Sequence, residues 1–170
     1  MKQQFLLLLL ASTALLSCQK QIAPENEIAV SKANAGAKDK ENNVPFHGDY
    51  VTTAEFFGGP AVQRITGYGQ ASHLGESMFV ANAIVNFGVP PPFPFTGTAT
   101  FTAANGDQFF TQFRGLNTPT GPGTSRGDIS HTIIGGTGRF ANATGTLTGI
   151  ALVTVGSPTN TVSYEGWINY

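Results

Sequence analysis

The stretch Phe95 to Arg114 constrains the fold more than any other part of the 170-residue chain. Phe95, Gly97, Ala99, Phe101 and Ala103 alternate with Thr96, Thr98, Thr100 and Thr102. That period of two sends successive side chains to opposite faces of a strand. Ala104-Asn105-Gly106 then supplies turn chemistry. A two-residue Asn-Gly loop would oppose Phe101 to Phe110, whereas a three-residue loop with Gly106 left-handed opposes Phe101 to Phe109 and Gly97 to Phe113. The second register keeps the apolar faces aligned and leaves Thr102 facing Gln108 and Thr98 facing Gln112 on the wetter side, so it is the one expected.

The same parity runs through Ile65 to Phe87, where Ile65, Ala71, Phe79, Ala81, Ala83, Val85 and Phe87 share a face with Gly67, Gly69 and Gly75. This stretch exceeds a typical strand, so a bulge or turn is expected near Gly75 or Asn82. Leu147, Ala151, Val153 and Val155 repeat the pattern, as do Val162, Tyr164, Ile168 and Tyr170. Strands are expected near 47–57, 63–74, 76–87, 95–103, 107–115, 127–134, 145–155 and 161–170. About eight short antiparallel strands can close into a barrel, which removes unpaired edges and is just wide enough to hold side chains or one small ligand. Ile134 to Gly145 breaks the pattern. Its glycines lack the long following helix of a phosphate-binding loop, so it reads as a tight turn with one helical turn plugging a barrel end. Pro90-Pro91-Pro92-Phe93-Pro94 reads as a stiff connector at a barrel mouth.

The first residues read as an address. Lys2 precedes an apolar run from Phe5 to Leu16, and Leu15-Leu16-Ser17-Cys18 resembles the lipobox of diacylglyceryl-modified lipoproteins. Twelve apolar-run residues fall short of the ~20 that a membrane span needs. The expectation is a signal peptide over 1–17, lipidation at Cys18 as the membrane anchor, and a flexible tether over 18–43, with the barrel domain at 44–170. Gln19 and Lys20 are not the aspartate-type retention signal of that family, so the outer membrane is the expected destination.

Cys18 is the only cysteine, so a thiolate metal site, a cysteine nucleophile and disulfide staples are excluded from the folded part. All five lysines precede residue 44, and beyond it four arginines stand against six carboxylates, a net charge of −2. A nucleic-acid partner would call for a basic stripe that this domain lacks. Nothing in the sequence calls for a cofactor or a metal.

Gly135-Gly136-Thr137-Gly138-Arg139-Phe140 followed by Ala143-Thr144-Gly145 resembles the glycine-rich turn of plant dirigent proteins and of allene oxide cyclase-like barrels. Gly69-Gln70-Ala71-Ser72-His73-Leu74-Gly75 and Ala104-Asn105-Gly106-Asp107 are similar to bacterial relatives of that class. The resemblance implies an eight-stranded antiparallel barrel, often trimeric, with an apolar cavity that steers a reactive intermediate in the plant members. It carries over no catalytic residue.

Among polar candidates, His73 has the parity of Ile65 and Ala71, so on a regular strand its imidazole faces inward, near Glu76 or Arg114. It could serve a cavity as donor, acid or base; the commoner role is a core histidine bonded to backbone or a neighbouring strand. His131, on the face of Ile129 and Ile133, has the same two readings. Asp128, Ser130 and His131 hold the letters of a hydrolase triad, but adjacent strand residues point to opposite faces. Inward Phe101, Phe109 and Phe113 beside Gly97, Ala99 and Ala103 suggest rings lining a small receptacle, with His73 as its polar member. Three functions follow as expectations: a lipid-anchored barrel binding a small apolar or aromatic molecule, a cyclase or isomerase using His73, or a filled envelope module with protein-binding loops.

Overall fold

The computed structural model describes residues 43–170. The expected signal segment 1–17, Cys18 and the tether as far as residue 42 lie outside the described residues. Eight strands follow in chain order: β1 (Val44–Phe56), β2 (Val62–Ala71), β3 (Gly75–Val85), β4 (Phe93–Thr102), β5 (Gln108–Gly121), β6 (Thr124–Gly136), β7 (Thr144–Thr154) and β8 (Asn160–Asn169). Each pairs antiparallel with the next, and β8 pairs back onto β1, so the sheet closes and leaves no edge strand unpaired. The expected all-β, eight-stranded antiparallel barrel is the observed architecture.

The register of the β4–β5 hairpin is the expected one: Phe101 opposes Phe109, Gly97 opposes Phe113, and Thr102 and Thr98 oppose Gln108 and Gln112. Inward burial alternates as the parity requires. On β3, Ser77, Phe79, Ala81, Ala83 and Val85 are buried while Asn82 and Ile84 are exposed. Outward positions mix polar residues such as Thr53, Gln70, Thr98, Gln112, Arg114, Thr132 and Thr146 with apolar ones such as Val51, Tyr68, Ile84, Leu116, Ile150 and Leu152.

The break expected near Gly75 falls at residues 72–74, which turn the chain from β2 into β3. The β5–β6 hairpin runs well beyond the expected ends at 115 and 127. Asn117, Thr118, Pro119 and Gly121 have loop composition, yet they pair with Gly127, Arg126, Ser125 and Thr124, with an irregularity between Pro119 and Gly121. A bulge beside Pro119 accommodates a residue that cannot donate to the ladder.

Large rings fit inside so narrow a barrel because glycines stand opposite them. Gly67 faces Phe79, Gly97 faces Phe113, Gly115 faces Phe95 and Gly149 faces Tyr164, each as a direct cross-strand pair. In every pair the ring fills the space a Cβ on the glycine would need. The aromatic face covers bare backbone and regains the packing that glycine lacks.

One end of the barrel is sealed by the three glycine-bearing motifs singled out in the sequence. The Ala104 N–H donates to the Leu74 carbonyl at 2.9 Å, and the Thr137 N–H donates to the Gln108 carbonyl at 2.7 Å. The Arg139 guanidinium donates to the His73 carbonyl and stands 4.8 Å over the Phe140 ring. A single 3-10 turn, Gly138–Phe140, pushes Phe140 fully out of solvent. The expected plug is therefore present. The opposite end carries the loops 57–61, 86–92, 122–123 and 155–159, including the proline-rich connector.

Candidate functional site

The interior divides into a packed half and a hollow half. Toward the sealed end Phe101 and Phe109 stack with centroids 4.6 Å apart and planes 13° from parallel. Phe46 and Phe140 meet Phe109 edge-on at 5.8 and 5.7 Å. Phe101, Phe109 and Phe140 are all 0% exposed, so this aromatic layer is a solid stopper. Above it Tyr50, Phe79 and Tyr164 form a second layer, with Tyr50 Oη 3.0 Å from Ser77 Oγ.

Beyond that layer lies a cavity of about 660 Å³ that opens among the loops of the other end. Its floor comprises Phe79, Phe113, His131 and Tyr164, its wall includes Ala81, Ala83, Gly127 and Ala151, and Phe56, Phe87, Phe93, Val155 and Pro158 stand at its rim. Small residues make the room: Gly127 pairs with Ala151 across β6 and β7, and Ala81 and Ala83 stand on β3.

No Asp, Glu, Lys or Arg lines this cavity. Its ionisable groups are His131 and Tyr164, and burial holds both neutral. Desolvation pushes the His131 imidazole down to about 3. Burial first, then the neighbouring Tyr50, raises the Tyr164 phenol well above its ordinary value. The receptacle is thus uncharged at every physiological pH. Its polar features are few. His131 Nδ1 lies 2.9 Å from Thr111 Oγ1, while His131 Nε2 and Asn117 Oδ1 are buried without a hydrogen-bond partner. Such orphaned atoms are rare in folded proteins and each calls for an explanation. Among the described residues no group of three or more His, Cys, Asp or Glu is placed to hold a metal ion.

Of the residues expected to form the receptacle, Phe113 lines the cavity. Phe101 and Phe109 point inward as expected but sit in the stopper, outside the cavity lining. His73 is a correction. It lies in the β2–β3 turn at the sealed end, exposed, with a left-handed backbone at φ 66°. The strand parity that would have turned it inward ends at Ala71, where β2 stops. Its Nε2–H donates to the Pro45 carbonyl at 3.0 Å, and the Tyr170 hydroxyl lies 3.2 Å from its Nδ1. It fastens the turn to the start of β1 and to the last residue of the chain. Neither Glu76 nor Arg114 is among its hydrogen-bond partners. Asp128 and Ser130 face outward, away from the buried His131, and Asp128 pairs with Arg126 at 2.8 Å.

His131 is bonded to a neighbouring strand, the commoner of the two expected roles, and it also stands on the cavity floor. Tyr164, Phe95 and Asn117 belong to the lining but carried no functional signal in the sequence. Their parity marks them as inward; their height along the barrel, which decides between stopper and cavity, has no local signature.

Fold and site together define a closed eight-stranded antiparallel barrel, stoppered at one end and hollow and uncharged at the other. Comparison of the chain with protein-family models, with curated proteins and with solved structures finds no match.

Proposed function

We propose that this chain is a lipid-anchored envelope barrel that holds a small, uncharged apolar or aromatic molecule in its open half. The observation that carries the reading is the cavity of about 660 Å³ whose lining contains no charged side chain. That size lies within the range of small-molecule sites, and a mostly apolar lining with a few polar atoms is their usual composition. An ionic ligand would leave its charge unpaired in a desolvated site, a heavy cost. The envelope address rests on Leu15-Leu16-Ser17-Cys18, and the likeness to dirigent and allene oxide cyclase-like barrels belongs to the same proposal. The motifs behind that likeness gather at the sealed end, so it says nothing about what the cavity holds.

The test is thermal unfolding of the full chain carrying Cys18→Ala. At 100 times its dissociation constant, a ligand of the native state adds about 2.7 kcal/mol of stability. Naphthalene is expected to raise the midpoint, and 2-naphthoate at pH 7 to leave it unchanged. A shift with both, or with neither across a panel of neutral aromatics, contradicts the reading. Mass spectrometry of the N-terminal peptide from envelope fractions tests the anchor, which requires an acylated Cys18.

A further inference from the structure

His131 sits on β6 between Phe113, whose ring centroid is 5.0 Å away, and Tyr164, at 5.2 Å and perpendicular. It is 3% exposed. The ring cannot turn freely, because Nδ1 is held 2.9 Å from Thr111 Oγ1. Thr111 is itself buried, and its hydroxyl has a second neighbour, the Ala99 carbonyl at 3.5 Å. The 2.9 Å contact serves either as Nδ1–H donating to Oγ1 or as the hydroxyl donating to a bare Nδ1, and in both cases Thr111 satisfies Nδ1. In a neutral imidazole the other nitrogen is then left over, as an acceptor in the first case and an N–H donor in the second. That atom, Nε2, is on the far side of the ring from Thr111, is fully buried and meets no partner in the protein.

A second orphaned atom belongs to another residue of the lining, Asn117 Oδ1. Asn117 lies four residues beyond Phe113 on β5, about 13 Å along the strand toward the open loops. A purely apolar occupant would leave both atoms unpaired and would make no use of a histidine that the fold has oriented with a buried threonine. A charged occupant is disfavoured by the uncharged lining.

Resting on the reading of the open half as a ligand cavity, we infer that its ligand is a neutral, mainly apolar molecule bearing a hydroxyl group, able to donate or accept, that hydrogen-bonds Nε2 of His131. The apolar body lies against Phe79, Phe113 and the alanines of the wall, and the hydroxyl reaches the floor by displacing the packing that covers Nε2 in the free chain. His131 is then the residue that selects and orients the ligand. Absolute affinity is a poor guide to this contact, since water also solvates a hydroxyl. The informative quantity is the double difference between two ligands and two proteins.

The experiment compares 2-naphthylmethanol with the near-isosteric 2-ethylnaphthalene by equilibrium dialysis, on the full chain carrying Cys18→Ala and on the same chain with His131→Phe added. The expected result is that the substitution weakens the alcohol about tenfold, the scale of one net buried hydrogen bond, and changes the hydrocarbon less than about twofold. Equal effects on the two probes, with both still binding, overturn the hydrogen-bond inference and leave the cavity reading standing. Binding of neither probe to the parent chain overturns both. A variant-free readout is the ¹⁵N resonance of His131 Nε2. The inference requires that this resonance shift on adding the alcohol and stay in place on adding the hydrocarbon. A resonance that the bound alcohol leaves unmoved overturns it.

Discussion

The ring of Phe113 lies over the backbone of Gly97, its cross-strand partner, in the space a methyl group on that glycine would fill. The contact joins packing to the cavity, because Phe113 is also part of the cavity floor. Gly97→Ala sets a Cβ against both the ring and the Asn82 carbonyl, so something must move. Overpacking of this kind costs about 1–3 kcal/mol. A lowered urea midpoint, together with weaker binding of a neutral aromatic probe as the ring is displaced, is the expected outcome; an unchanged midpoint contradicts the close contact.

Acid should weaken the fold before the carboxylates titrate. Folded His131 is pushed down to about 3, whereas the unfolded chain takes up its proton near the ordinary 6.5. The unfolded state therefore binds more protons between those values. The contribution is fully present above pH 6.5 and is lost as pH falls toward about 3, at a limiting slope of about 1.4 kcal/mol per pH unit. Urea titrations between pH 6.5 and 5 should show falling stability, and His131→Leu should flatten that limb. A slope identical in the variant contradicts the assignment.

The stopper predicts a contrast between adjacent residues. Phe140 is 0% exposed against Phe109, whereas Arg139 pairs over the surface with Asp107 at 3.8 Å. Phe140→Ala should cost about 3–5 kcal/mol. Arg139→Ala, which removes an exposed ion pair, the hydrogen bond to the His73 carbonyl and the contact over the Phe140 ring, should cost about 1–2 kcal/mol. Comparable losses in chemical denaturation would mean that the seal resides in the turn and not in the ring.

Much of the fold was legible because strand alternation resolved what turn chemistry left open. The Asn105-Gly106 turn allowed two hairpin registers, and the alternation of threonine with apolar residues over Phe95–Ala103 chose between them, since a slip by one residue sets apolar positions of one strand against polar positions of the other. The surface position of His73 was illegible for a local reason: parity counts correctly only while a strand continues, and here it stops at Ala71. The cavity was half legible. Phe109 and Phe113 share a strand and a face, yet one is in the stopper and the other on the cavity floor. Height along a barrel is set by the stagger of eight registers taken together. No single segment encodes it.

The placement of His73 yields a prediction opposite to the one its parity suggested. His73→Gln should leave binding of neutral aromatics unchanged, since the side chain bonds Pro45 and Tyr170 at the sealed end. It should lower stability by about 0.5–1.5 kcal/mol, the net value of a hydrogen bond. A lost or altered probe affinity in this variant would place His73 functionally at the cavity.

The claim beneath all of these is that the open half of the barrel is an accessible, uncharged hollow. Ala83 is 4% exposed on its wall, where a larger side chain has empty space to enter. The decisive measurement is fluorescence titration with N-phenyl-1-naphthylamine, uncharged at pH 7, against the full chain bearing Cys18→Ala with and without Ala83→Phe. The account predicts saturable binding of one probe per chain, weakened at least about tenfold by Ala83→Phe while the fold stays intact, the scale expected when one ring fills a small-molecule site. Absence of saturable binding, or equal binding by a folded Ala83→Phe chain, would contradict it.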